Sequence, residues 1–460
     1  MKIVIAQCPG CPGDAITTPP MGIGYLKSFL ESKGYEVIPF DFNIELYHSV
    51  SCRYKKLWGT YNMFWQREFS KHIRMFGKYC KEWAKRILNS DTSLIGFSVF
   101  NANKMLTLEI ARRIKEEDKN RLIIFGGPEC NIYTIKEFFH KFNFINAFVI
   151  GEGEKTLLEL VEEYERNRKL KPVPGSVIRK GEELIRGGER EPIEDLDSLP
   201  YPNFSGLPIK KYIDNKTIHI QMSRGCYQRC VFCIEHVIWK KYRCRSARNV
   251  FNEMRFRFEN GYRAFKFCDS TLNGNVKELE HLCELLIKEG LNSEIGWLGS
   301  FRCRKEMTLS LTKKMKKAGC DYAIIGVESG SQKILNLMRK GYTINIIERC
   351  LKNFHNAGIM THVNLIVGFP GENEKTIKET LDFIKRNRRY INQIEINRLN
   401  VLPLSPLFEN YASFGIESLH DPQHGNDWVS GKNTIAWRWK MYFKVKEFVE
   451  NLGIETITWD

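Results

Sequence analysis

Short apolar runs alternate with amphipathic helical patterns along most of this 460-residue chain, and the alternation occurs twice, on either side of the proline-bearing stretch Leu199-Pro200-Tyr201-Pro202. Such alternation calls for parallel sheets covered by helices, because each crossover must carry the chain back to the edge it left. In the front half, runs at residues 3–7, 36–41, 94–100, 122–125 and 147–150, with helical patterns such as 24–32 and 104–117 between them, predict five strands in a doubly wound, Rossmann-like order. In the second half, runs at 218–222, 264–268, 294–300, 322–327, 362–367 and 393–397 predict six strand-helix units, a partial (β/α)6 TIM-like barrel. The expected division is therefore a front domain at 1–190, a linker at 191–216, a barrel at 217–403 and a C-terminal cap at 404–460.

Three stretches fall outside this rhythm. Residues 46–88 are too long for one crossover and read as inserted helices, whose aromatic residues suit packing better than the wall of a cavity. Residues 176–186 read as a hairpin turning at Gly181. The cap carries Trp428, Trp437, Trp439 and Trp459, for which core packing is the expected role.

Hydrophobic residues make up 43% and charged residues 27%, which excludes a disordered or fibrous class. No run reaches the roughly 20 apolar residues of a membrane span, and residues 1–6 read as a buried strand, so the cytoplasm is the default location. The net charge of +16 invites an anionic partner, but Lys and Arg are spread along the chain without a block of like charge. A nucleic-acid partner is not expected. Fourteen cysteines in a long chain of this kind suggest free thiols and metal ligands.

Gly225-Cys226-Tyr227-Gln228-Arg229-Cys230-Val231-Phe232-Cys233 sets three thiols within eight residues, directly after the first barrel strand. That is the carboxyl-terminal mouth, where barrels place their chemistry. Three thiolates on a short loop suit a cubane cluster with one open iron, whereas a closed electron-transfer cluster takes four. A zinc site completed by Cys244 is the main competitor, and the spacing opposes it, since the first gap is three residues and no second C-x2-C pair follows.

The C-x3-C-x-aromatic-C pattern, with Phe232 at the aromatic position, resembles the radical S-adenosylmethionine (SAM) signature, and the resemblance extends through most of the barrel. It implies a 4Fe-4S cluster on Cys226, Cys230 and Cys233, with SAM chelating the fourth iron. Asp269 in Phe267-Cys268-Asp269-Ser270 falls where the family binds the SAM amino group, as a single acid where a pair is more frequent. In Ser300-Phe301-Arg302-Cys303-Arg304, Arg302 or Arg304 is placed to pair with the SAM carboxylate. Gly326-Val327-Glu328-Ser329-Gly330-Ser331 is similar to the ribose-binding segment, with Glu328 as acceptor and Ser329 beside it. Ile366-Val367-Gly368, at the head of Phe369-Pro370-Gly371-Glu372, resembles the segment whose backbone lies along adenine.

Glycine-rich turns also follow the front strands, at the place where open parallel sheets bind ligands. Physical reasoning leaves a nucleotide, a flavin and a corrinoid open there. Pro20-Met21-Gly22-Ile23-Gly24-Tyr25-Leu26, Ile95-Gly96-Phe97-Ser98, Phe125-Gly126-Gly127-Pro128 and Gly151-Glu152-Gly153-Glu154 together resemble the cobalamin-binding domain ahead of the barrel in class B radical SAM proteins. The resemblance assigns Pro20, Ser98, Gly126, Gly127, Pro128, Glu152, Gly153 and Glu154 to cobalamin. The D-x-H-x-x-G motif is absent: Asp14 is present, but no histidine stands between Ile3 and Tyr47, so no protein histidine replaces the lower cobalt ligand. Cys8 and Cys11 form a lone C-x2-C and read as plain loop thiols.

The implied activity is methylation of an unactivated carbon in a small molecule. SAM is cleaved to a 5'-deoxyadenosyl radical, which takes hydrogen from the substrate, and methylcobalamin then donates the methyl group. An electron donor such as flavodoxin or ferredoxin is the expected partner. The rival readings are cobalamin-dependent cyclisation or rearrangement, RNA modification, and a corrinoid or zinc carrier without turnover.

Overall fold

Nearly continuous apolar strands need cover on both faces, and β1 (Lys2–Gln7) meets this requirement with Ile3, Val4, Ile5 and Ala6 all buried. In the computed structural model the described residues are all but 11–12, 60–63, 68, 421–426 and 459–460, so Cys11 and Trp459 lie outside them. The chain divides into two units, Met1–Ile218 and the residues from His219 onward.

In the first unit β1 is joined by β2 (Glu36–Asp41), β3 (Leu94–Ser98), β4 (Leu122–Gly126), β5 (Ala147–Val149), β6 (Ser176–Lys180) and β7 (Glu183–Arg186). Their order is β2-β1-β3-β4-β5-β6-β7, the first five parallel and the last two an antiparallel hairpin closing one edge. The order reverses between β1 and β3, which makes the loops after these strands a switch point. The described residues of the stretch 46–88 include several helices, the longest being Phe69–Leu88, and Trp58, Phe76 and Trp83 bury themselves with Trp65 in the sheet's core cluster. Packing is thus the role of that aromatic stretch.

The stretch expected as a linker belongs to the first unit. Phe204 lies against Gly24, and the Tyr212 hydroxyl donates to Asp41 Oδ2 at 2.7 Å. A chain that leaves a sheet edge must satisfy its backbone and cover apolar surface, and here it does both on the sheet it has just left.

The second unit's sheet begins with β8 (Thr217–Ile220), after which β9 (Ser223–Arg224) and β10 (Arg243–Cys244) form a two-stranded ribbon. It continues through β11 (Ala264–Phe267), β12 (Gly296–Phe301), β13 (Cys320–Glu328), β14 (Met360–Val367) and β15 (Gln393–Arg398). These are the six expected barrel strands. A second ribbon, β16 (Ser418–Leu419) with β17 (Trp428–Val429), precedes β18 (Glu455–Thr458). The sheet order is β18-β15-β14-β13-β12-β11-β8, so the last segment adds a seventh strand, parallel to β15, that the sequence reading left in the cap. The helix Ile435–Asn451 makes this possible, because parallel neighbours need a long crossover. Trp428 is fully buried, with the Arg438 guanidinium 3.8 Å from its ring centre. No helix among the described residues is long and apolar enough to cross a membrane.

Asp41 ends β2 and caps the helix Phe42–Ser49, accepting from Asn43 N at 2.9 Å and Ile44 N at 3.3 Å. Burial outweighs these bonds and raises its carboxyl to about 7. An unfolded aspartate titrates near pH ~4, so the folded chain keeps the extra proton between these values. This contribution to stability is complete below the unfolded pKa and is lost as pH rises through the folded one. Asp41→Asn, which keeps an acceptor, is expected to flatten the fall in melting temperature between about pH 5 and about pH 7. Calorimetry of both proteins checks this, and parallel curves refute it.

Candidate active site

The loop between β9 and β10 stands after the first barrel strand, and the ribbon pins both of its ends. Gly225 opens it at φ +82°, where an added Cβ would meet Lys241 O at 2.7 Å, so the turn needs glycine. Cys226, Cys230 and Cys233 then face one cavity of about 190 Å³, which Phe232 also lines. Between the last two thiols the buried Val231 ties the loop down, its N–H donating to Met338 O at 3.2 Å and its carbonyl accepting from Leu407 N at 2.8 Å.

The thiols sit in different surroundings. Cys226 Sγ lies 3.2 Å from Thr271 Oγ1, and the Arg302 guanidinium approaches Cys230 Sγ at 3.6 Å. Burial, opposed only by a backbone bond, pushes the Cys233 thiol up to about 12. Iron offsets such a cost, because metal binding and thiol deprotonation are coupled. Among the described residues no three His, Cys, Asp or Glu side chains converge closely enough for a single ion. Cys244, the fourth ligand a zinc site would need, turns its thiol to Arg245 O at 3.2 Å and is absent from the cavity lining. A donor set of three free thiols around one cavity fits a multi-iron cluster better than one zinc.

The rest of the cavity is polar and comes from successive strands: Arg302 follows β12, Glu328 ends β13 and Asn364 lies on β14. Arg302 Nε and Asn364 Oδ1 are shielded from solvent and have no hydrogen-bond partner among the described residues. One unused donor and one unused acceptor in a cavity beside three thiols are what a polar ligand such as SAM requires. Burial works against the Arg302 charge, yet Tyr342, Cys230 and Tyr227 around it hold its pKa above the ordinary value.

Several expected residues are engaged elsewhere. Asp269 is buried and accepts from Met222 N at 3.0 Å and from Ser223 Oγ, bracing β8 against β11, and burial raises its carboxyl to about 6 against these donors. Ser270 and Thr271 line the cavity in its place. Arg304 spends its guanidinium on Asn273 O, Gly274 O and Glu306, so Arg302 is the arginine that faces the thiols. Ser329 is buried and accepts from Ser331 N. Ile366 and Val367 lead into Gly368, whose φ of +92° and contact with Arg438 leave no room for a Cβ. Asn433 Nδ2 donates to Gly368 O at 3.0 Å and to Phe369 O at 3.2 Å, and the buried Glu372, raised to about 8 by burial, accepts from Gly368 N.

In the first unit, Ser98, Gly126, Gly127 and Pro128 stand at the carboxyl ends of the adjacent strands β3 and β4, and Glu152 and Gly153 follow β5. Glu152 accepts from Ile193 N at 2.7 Å, and Glu154 is buried in the helix Gly153–Asn167. Pro20 caps the helix Met21–Glu31. Two buried amides brace the loop after β1: Asn43 accepts from Gly10 N at 3.2 Å, and Asn103 reaches Cys8 O at 3.5 Å. A cavity of about 550 Å³ lies beside β2 and residues 205–208, and none of the residues assigned to cobalamin lines it.

Residues 220–384 match the radical SAM superfamily. The chain carries a radical SAM domain. An uncharacterized methyltransferase of Pyrococcus horikoshii is 29% identical over 66% of this chain and 66% of its own length. The anaerobic magnesium-protoporphyrin IX monomethyl ester cyclase of Cereibacter sphaeroides is 27% identical over 63% of this chain and 48% of its own, so this radical SAM chain spans less than two thirds of either relative. Among solved structures, the radical SAM methyltransferase TsrM of Kitasatospora setae superposes with a TM-score of 0.70 at 18% identity, covering 92% of this chain and 79% of TsrM. TsrM has also been seen with cobalamin and a [4Fe-4S] cluster bound. At that identity the likeness establishes the fold alone.

Sequence reasoning missed Lys340, Asn364, Thr271 and Asn433. Lys340 sits in Arg339-Lys340-Gly341, which reads as a charged surface turn; Gly341 was the one sign of a special backbone there. Gly225→Ala is expected to destabilise the thiol loop by roughly 1–3 kcal/mol and to lower iron bound after anaerobic reconstitution. Full iron content in the variant would contradict the strain argument.

Proposed function

We propose that this radical SAM enzyme is a cobalamin-dependent methyltransferase acting on an unactivated carbon of a small molecule. The observation that carries the reading is the shared cavity: three thiols, Arg302, Glu328 and Asn364 meet at the carboxyl ends of successive barrel strands. Cys226, Cys230 and Cys233 would hold the cluster. Arg302 and Glu328 would orient SAM through its carboxylate and ribose, and Phe232 would cover the cluster's apolar side. The glycine-bearing turns after β3, β4 and β5 would hold cobalamin. When bound, these groups supply a 5'-deoxyadenosyl radical and a transferable methyl group; the protein's part is to orient them and to keep water out. The position of Arg302 beside Cys230 places positive charge where the thiolate develops.

Cyclisation is the second reading, and the cyclase relative supports it. Anaerobic reconstitution with iron, sulfide and hydroxocobalamin, with Cys230→Ala as control, tests both. The methyltransferase reading expects bound iron and corrinoid, 5'-deoxyadenosine only with Cys230 intact, and S-adenosylhomocysteine in proportion to bound corrinoid. Corrinoid and deoxyadenosine without S-adenosylhomocysteine favour cyclisation. Zinc uptake with intact SAM overturns the radical reading itself.

A further inference from the structure

One short stretch, Met338 to Tyr342, bonds to the thiol loop, to Arg302 and to β13, and its Lys340 lines the cavity. Met338 O accepts from Val231 N, and Arg339 O accepts from Gln228 Nε2 at 2.6 Å, which fixes the thiol loop at two points. Lys340 O accepts from the Arg302 guanidinium, and the Tyr342 hydroxyl donates to Gly326 O on β13. The stretch has no helix or strand to hold it, and two of its residues, Arg339 at φ +56° and Gly341 at φ +73°, have left-handed backbone.

At its centre is an ion pair. Lys340 Nζ lies 3.0 Å from Glu328 Oε1, with side-chain exposures of 4% and 11%. Glu328 itself is strained, at φ +69°, just beyond a register shift between Gly326 and Glu328 where β13 pairs with β14. A Cβ on Gly326 would stand 2.7 Å from Glu328 Oε1 and 3.5 Å from Lys340 Nζ, so the bare glycine leaves the space the pair occupies. A buried ion pair next to well-packed residues contributes little net stability, and a left-handed glutamate costs some. An arrangement this costly that aims one carboxylate into a ligand cavity points to function.

We infer that Lys340 is a positioning residue for SAM, holding the Glu328 carboxylate in its strained orientation toward the cavity while its own carbonyl holds Arg302 beside Cys230. The inference rests on the reading of this cavity as the SAM site. Without the ammonium, Glu328 is a buried unpaired carboxylate that swings toward water or takes up a proton, and its geometry as an acceptor is lost. The cluster ligands do not depend on the ammonium, because the loop is tied to the backbone of residues 338 and 339.

The test uses the full-length, anaerobically reconstituted enzyme with three variants: Lys340→Met, Lys340→Arg and the double variant Lys340→Met/Glu328→Gln. Iron content, KM for SAM and kcat for deoxyadenosine are measured, together with the change that SAM causes in the electron paramagnetic resonance signal of the reduced cluster. Lys340→Met is expected to keep its iron, to raise KM for SAM roughly tenfold or more with a smaller change in kcat, and to weaken the spectral change; Lys340→Arg restores most of the affinity. The double variant removes both buried charges, so it folds even if Lys340→Met does not, and it is expected to show the same loss of affinity. Wild-type KM in a folded, iron-replete Lys340→Met or double variant overturns the inference, as does an affinity loss that Lys340→Arg does not relieve. A wild-type enzyme that never cleaves SAM is a separate failure, that of the SAM-site reading.

Discussion

The cavity depends on two backbone hydrogen bonds at one residue. Val231 gives its N–H to Met338 O and its carbonyl to Leu407 N, so the thiol loop is clamped between the turn after β13 and the segment after β15. A loop carrying three sulfurs has no core of its own, and without external partners it would sample many conformations. Both partners are backbone groups of segments that follow the barrel's later strands. The loop therefore takes its shape only when the sheet has closed far enough to bring those strands to it, and ligand geometry is coupled to completion of the barrel.

That coupling explains the charge arrangement around it. Two cations, Arg302 and Lys340, are almost wholly buried among the cavity residues, each with a specific partner. Buried charge is costly unless it is paired and hydrogen-bonded, and it is then placed accurately, because nothing else nearby can satisfy it. On the proposed reading, thiolates and a SAM carboxylate would bring negative charge to this space. The protein meets it with guanidinium and ammonium groups already desolvated and oriented, so less reorganisation is required on binding.

The strands were legible because alternation between apolar runs and helical patterns is local, and β2 matches its expected limits of 36 and 41. The thiols, Arg302 and Glu328 were legible because chemistry in such a sheet gathers at the ends of strands, and short motifs mark those ends. What the sequence hid is long-range. Glu455-Thr456-Ile457-Thr458 is too short and too polar to announce a strand; it becomes β18 because the preceding helix delivers it to the open edge of β15. Asp269 was legible as an acid after β11, but its bonds to Met222 and Ser223 follow from how β8 lies beside that strand. Lys340 was invisible because an ion pair across twelve residues of turn and helix leaves no periodic trace.

The chain's last sixty residues are best understood through the same coupling. Leu407 supplies half of the Val231 clamp, Asn433 holds the carbonyls of Gly368 and Phe369, and the stem of Arg438 fills the space that a side chain at Gly368 would need. The contacts of Asn433 and Arg438 fasten the turn after β14, the one in which buried Glu372 accepts from Gly368 N. A partial barrel leaves an open edge, and its outer strands lack the neighbours that fix the inner ones. Here β18 pairs with β15, while the residues leading to it reach back to the strand ends around the cavity. The segment first read as a cap thus finishes the sheet and holds two of the site's turns, with backbone and amide groups rather than catalytic side chains as its contribution.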